Sequence, residues 1–242
     1  MADSAAAQLP LVARLNKESK KLHKLSNSLV NTKLVALLSD RELYGKALAS
    51  FYYVFSALED AVDKALERND PDLLKFKDTL KGGLYRAPGF REDVEYFLGS
   101  DWEQRYKLRS EAVAAYESHL QQLSAQQPRL LLAHVFTQHL AAASGGQMVR
   151  RWARRHLGLP EDKGTAAFEF KGDSNNTLRS HFKKQLDEWG RSLSEEEVQA
   201  FIGQHFAAFH HNNAIIRAFH VSLTSMLRGL ARILPPRLLL GP

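Results

Sequence analysis

Apolar residues recur at helical spacing through residues 9–38, 40–68, 71–80, 92–96, 109–124, 128–157, 177–190 and 194–234, and nothing in the chain reads as a sheet. An all-α chain is therefore expected. Several helix starts are chemically marked. Ser39-Asp40 ahead of Glu42, and Ser194 ahead of Glu196-Glu197, place short oxygen-bearing side chains where free backbone N–H groups need acceptors. Asp70 before Pro71 reads the same way, with proline at the first helical position. Breaks are predicted at Gly82-Gly83, at Pro88-Gly89, and over residues 158–160 and 171–176, none long enough for an interdomain linker. The expectation is one compact helical domain over residues 9–222, with a flexible N-terminus at 1–8 and a helix end and tail at 223–242. No internal repeat or sustained heptad suggests a solenoid or coiled coil.

The chain has no cysteine, which removes disulfides, thiolate metal sites, thiolate haem ligation and cysteine nucleophiles. Its formal charge of +6 is compatible with an acidic partner or an anionic ligand. No aromatic–basic interleaving or recognition-helix pattern accompanies that charge, so nucleic acid is not an expected partner. No secretory signal is visible, and the apolar run Leu238-Leu239-Leu240 falls far short of the roughly 20 residues that cross a bilayer. A cytoplasmic monomer without a membrane span is expected; a C-terminal anchor beyond this sequence stays open.

Helical bundles often hold metals through Glu-x-x-His or His-x-x-x-His pairs, and neither pattern occurs here. Any iron must arrive inside a cofactor. Two segments could receive one. On a helix, Lys20 lies one turn before His23, so a ligating imidazole and a carboxylate-pairing ammonium would share a side. A solvated basic face with an incidental histidine accounts for the same residues. The second segment, residues 130–157, is too long and apolar for a loop, yet Gly145-Gly146 interrupts it, at a cost of about 1 kcal/mol per glycine relative to alanine. Bare backbone there lets a flat ligand approach and lets the helix bend; close helix packing is the alternative explanation.

Taken in order, these elements resemble the haem oxygenase family from about residue 9 to residue 220. Lys20 and His23 resemble its proximal helix, and residues 50–59 the helix that follows. The aromatic stretch ending at Trp102 is similar to another family segment. Leu131-Leu132-Ala133-His134-Val135-Phe136-Thr137, followed by Ser144-Gly145-Gly146-Gln147, resembles the distal helix. The resemblance implies haem b sandwiched between two helices, with His23 as the axial iron ligand and the Gly145-Gly146 backbone over the other face. It implies Lys20, Arg179 and Lys183 at the propionates, Phe209 and Asn212 lining the pocket, and Tyr52 as a distal-side hydroxyl. One departure bears on catalysis. The family has Gly-Asp-x-Ser-Gly-Gly-Gln, and Ala142 occupies the aspartate position; Phe136 and Gln138 also replace a tyrosine and an arginine common nearby.

The implied activity is oxidative opening of haem to biliverdin, carbon monoxide and ferrous iron. Dioxygen and electrons from a flavoprotein or ferredoxin-type reductase would drive it. Thr137, Ser144, Gly145 and Gly146 are the candidate catalytic residues. The basic run Arg150-Arg151-Trp152-Ala153-Arg154-Arg155-His156 could dock the reductase, with Arg150 and Arg154 as the charges to reverse, or form a solvated face. Because an alanine cannot relay a proton, a haem-binding carrier or sensor, or a peroxidase-like protein, is the alternative.

Overall fold

The computed structural model describes residues 9–170 and 175–233, and among these there is no strand. The first predicted stretch is two helices, α1 (Leu11–Glu18) and α2 (Lys20–Leu37), divided at Ser19. α3 (Arg41–Glu67) begins where the Leu43 N–H donates to Asp40 Oδ1 at 2.9 Å. α9 (Glu195–Ala218) begins with a full capping box, Ser194 and Glu197 each accepting the other's backbone N–H. Between them run α4 (Ala87–Leu98), α5 (Glu111–Gln126), α6 (Leu131–Ala143), α7 (Gly145–Leu157) and α8 (Asn175–Gly190); α10 (Leu223–Ile233) follows.

Three expectations are corrected. Pro88-Gly89 is not a break but part of the first turn of α4, where a proline lacks only an N–H that would be unpaired anyway. A side chain at Gly89 would sit 2.6 Å from the Ala166 carbonyl oxygen, so glycine there serves a close approach. The stretch 71–80 is a 3₁₀ turn (Leu73–Phe76) and a single α turn (Lys77–Thr79) leading into a π turn (Leu80–Leu84) with the non-helical Gly83 inside it, at φ 157°. Residues 128–157 are not one helix: the chain breaks at Ser144 (φ −116°, ψ −78°), one residue before the glycines. There the Ser144 hydroxyl donates to the Leu140 carbonyl at 2.7 Å, competing with the helical ladder. Of the predicted break at 171–176, residues 171–174 lie outside the described residues and residues 175 and 176 open α8.

α3 is the central post, packed against α4, α5 and α6. Its buried Glu59 accepts the Arg86 and Ala87 backbone N–H groups, at 2.5 and 3.1 Å, and the His139 Nε2–H at 3.1 Å, joining three elements through one carboxylate. The apolar interior forms two clusters. One joins α1, α5, α6 and α8; the other gathers Leu48, Phe55, Phe90, Trp102 and Phe168 around the α3–α4 face. The seam between them carries the cleft described next. Among the described residues no helix is long and apolar enough to cross a membrane.

Candidate functional site

A cleft of about 710 Å³ runs along that seam, lined by residues between Asn16 and Phe219. α2 supplies His23, Asn27 and Lys33; α3 supplies Phe51 and Phe55; α8 supplies Arg179 and Lys183; α9 supplies His205, Phe209 and Asn212. The α6–α7 break forms the facing wall with Thr137, Gln138, Ala142, Ser144, Gly145 and Gly146. The buried Ser26 hydroxyl donates to Asn213 Oδ1 at 2.7 Å, fixing the helix that carries His23 against the one that carries Phe209.

The two glycines differ. A side chain at Gly145 would meet nothing within 4 Å, so bare backbone faces open cleft there. A side chain at Gly146 would lie 2.6 Å from the Phe168 ring, which packs edge-on against Phe90. Gly145 thus leaves room for a ligand, and Gly146 for a neighbouring ring. Phe168 is held from the far side by Asp93, whose two carboxylate oxygens accept the Ala166 and Ala167 N–H groups at 2.9 Å each. Burial pushes the Asp93 carboxyl up to about 7, against the pull of those two N–H donors.

Lys33, Arg179 and Lys183 line the cleft, and no carboxylate does so among the described residues. Burial, then the charge of Arg179, lowers the Lys183 pKa. Burial also lowers that of Lys33. The Arg179 Nε is buried without a hydrogen-bond partner among the described residues. Two adjacent cations, one with an unpaired donor, form a place where an anion is stabilised.

His205 adds a polar point. The Thr137 hydroxyl lies 2.8 Å from the Ala133 carbonyl, which can only accept, and 2.8 Å from His205 Nδ1. Its one proton goes to Ala133, so His205 Nδ1–H donates to Thr137, leaving Nε2 an unprotonated, buried atom without a partner among the described residues. Burial, then repulsion from His23, brings the His205 pKa down to about 4.

Of the site residues expected from sequence, His23, Thr137, Ser144, Gly145, Gly146, Arg179, Lys183, Phe209 and Asn212 come together in the cleft. Lys20 does not line it and is exposed at the first residue of α2. Tyr52 lies elsewhere: Phe51 and Phe55, four residues apart, take the cleft face of α3, so Tyr52 is turned away against Trp102, ring centroids 5.8 Å apart. Arg150 and Arg154 are not a free docking surface, since both pair with Glu169, at 3.1 and 2.8 Å; Arg151 and Arg155 are the exposed cations of α7. Lys33 and His205 went unnoticed in the sequence. His205 could have been found, because residues 205, 209 and 212 share one face of a helix.

Fold and cleft define a helical binder of a large, mostly apolar ligand with an acidic edge. The sequence matches the family model described as Heme oxygenase over residues 9–218. Heme oxygenase 1 from Nostoc sp. is 28% identical over 201 residues, 82% of this chain and 81% of its own length. The crystal structure of heme oxygenase 2 from Chlamydomonas reinhardtii without heme is 58% identical, with a TM-score of 0.87 over 89% of this chain and 100% of that one. Heme oxygenase-2 from Synechocystis sp., in complex with heme and NO, gives a TM-score of 0.75 at 25% identity, covering 93% and 88%. The chain belongs to the haem oxygenase family.

Proposed function

We propose that this chain binds haem in the cleft and degrades it: His23 would ligate the iron, and the bare Gly145 backbone on the facing wall would leave room for the ring. The observation that carries the reading is the cleft's composition: one wall with an imidazole, a facing wall of bare backbone, three cations and no acid among the described residues. Bound haem supplies the iron that activates dioxygen and is also the substrate, opened to biliverdin, carbon monoxide and ferrous iron. Arg179 and Lys183 hold the propionate edge, and Phe209, whose ring centroid is 6.1 Å from that of His23, supports the imidazole edge-on. Ligation through Nε2 requires the proton on Nδ1. Asn27, whose amide nitrogen lies 3.2 Å from Nδ1, then presents its oxygen instead, half a turn away.

Dioxygen and reductase-supplied electrons complete the reaction, and a flavoprotein or ferredoxin-type reductase docks on the exposed Arg151 and Arg155 face of α7. Residues 9–222 act as one domain, and the protein works as a monomer. The test is haemin titration followed by aerobic turnover with ascorbate and catalase, for wild type and His23→Ala. The expected result is a Soret band that His23→Ala shifts or weakens, and that wild type converts to a biliverdin band. A wild-type Soret band that stays unchanged under turnover conditions refutes haem degradation, and failure to bind haemin refutes the site.

A further inference from the structure

Behind Ala142 lies a chain of buried polar groups whose hydrogen bonds can be followed donor by donor. The Gln204 Oε1 atom, able only to accept, lies 2.8 Å from His119 Nε2 and 3.1 Å from His134 Nε2. The His134 proton is therefore on Nε2, and Nδ1 keeps its lone pair. His134 is fully buried, and burial pushes its pKa down to about 3, so the ring is neutral and its hydrogen bonds select the tautomer. The Tyr116 hydroxyl, 2.8 Å from that Nδ1, must donate to it. Stacking on His211, centroids 4.5 Å apart and planes within 2°, holds the Tyr116 ring in place.

With its proton committed, the Tyr116 oxygen can only accept, and Gln138 Nε2 donates to it at 3.1 Å. The amide orientation of Gln138 follows. Its second N–H goes to Asn212 Oδ1 at 2.7 Å, and its oxygen accepts from Asn212 Nδ2 at 3.3 Å. Asn212 is left with one uncommitted N–H, in a residue that lines the cleft. Gln138 stands one helical turn before Ala142 on the same face of α6, and Gln138, Ala142 and Asn212 all line the one cleft. Had His134 carried its proton on Nδ1, every bond in the chain would reverse and Asn212 would offer an oxygen instead.

We propose that Tyr116 and His134 are positioning residues that fix Asn212 as an N–H donor inside the cleft, a neutral substitute for the carboxylate that Ala142 lacks. The proposal rests on the haem reading. It makes the His134 tautomer the determinant of what a small ligand meets on the α6 side.

The probe is fluoride, a small acceptor that binds ferric haem, titrated into haemin-loaded protein whose Soret band first establishes loading. Asn212→Leu, Tyr116→Phe and His134→Leu are expected to weaken fluoride about tenfold, while His134→Asn, whose amide oxygen can replace the Nδ1 acceptor, stays within about threefold of wild type. Equal fluoride affinity in all four variants, with normal Soret bands, overturns the proposal and leaves haem binding intact. Absence of a wild-type Soret band overturns both. Because a buried variant can fail to fold, ¹⁵N shifts of the histidine rings in wild-type protein supply a second reading. A protonated Nε2 on His134 is expected, and a protonated Nδ1 overturns the assignment.

Discussion

Single atoms decide most of what the cleft can do, and the adjacent glycines show it. Gly145→Leu is expected to leave folding near wild type, since a side chain there meets open space, while haemin affinity falls about tenfold or more, roughly 1.4 kcal/mol. Gly146→Ala should do the reverse. Its methyl group must displace the Phe168 ring, costing about 1–3 kcal/mol of stability, readable as a lower denaturation midpoint. Parallel urea and Soret titrations of the two variants separate these effects; equal behaviour would contradict the division of roles. Asp93 offers a pH-dependent case. A carboxyl whose folded pKa is raised to about 7 binds its proton more tightly in the folded state, so its contribution falls as pH rises from about 4 to 7 and then levels off. His134, His205 and His211, whose pKa values burial lowers to between about 3 and 4, act in the opposite sense over the same range, so the readout is a difference: the urea midpoint of wild type minus that of Asp93→Asn should fall from about pH 4 to 7.

At the scale of elements, the sequence revealed helices better than their junctions. Amphipathic spacing is a property of many residues at once, and the caps at Asp40 and Ser194 are where short-range chemistry placed them. The break within residues 128–157 was legible only to one residue, because the glycines advertise it while the Ser144 hydroxyl takes the Leu140 carbonyl and turns the chain. Pro88-Gly89 misled, since the same dipeptide opens a helix or a turn, and contact with the Ala166 carbonyl decides. Tyr52 was misplaced for a related reason: with Phe51 and Tyr53 as neighbours, sequence alone does not say which ring faces the cleft. The histidine–tyrosine–glutamine chain was invisible, being assembled from α5, α6 and α9 across 18 to 74 positions. On α7, reversing Arg151 and Arg155 to glutamate is expected to reduce reductase-driven turnover several-fold at low salt, with ascorbate-driven turnover and haemin affinity unchanged. Equal losses with both electron sources would move the docking face elsewhere.

For the whole molecule, a ligand bound only by the folded state raises stability in proportion to its saturation. At 100 times Kd, haemin should add about 2.7 kcal/mol, which in a chain of this size raises the Tm by roughly 5–10 °C. A scan with and without haemin measures it, and an unchanged Tm would mean that the folded state does not bind haemin in preference to the unfolded chain. The cleft walls are drawn from residue 16 to residue 219, so no N-terminal fragment that stops before the end of α9 contains them all. During synthesis, α2 with His23 emerges long before α8 brings its cations or α9 its donor. A nascent chain therefore has the iron ligand but no binding site for most of translation, and haem capture must wait until α9 has left the ribosome.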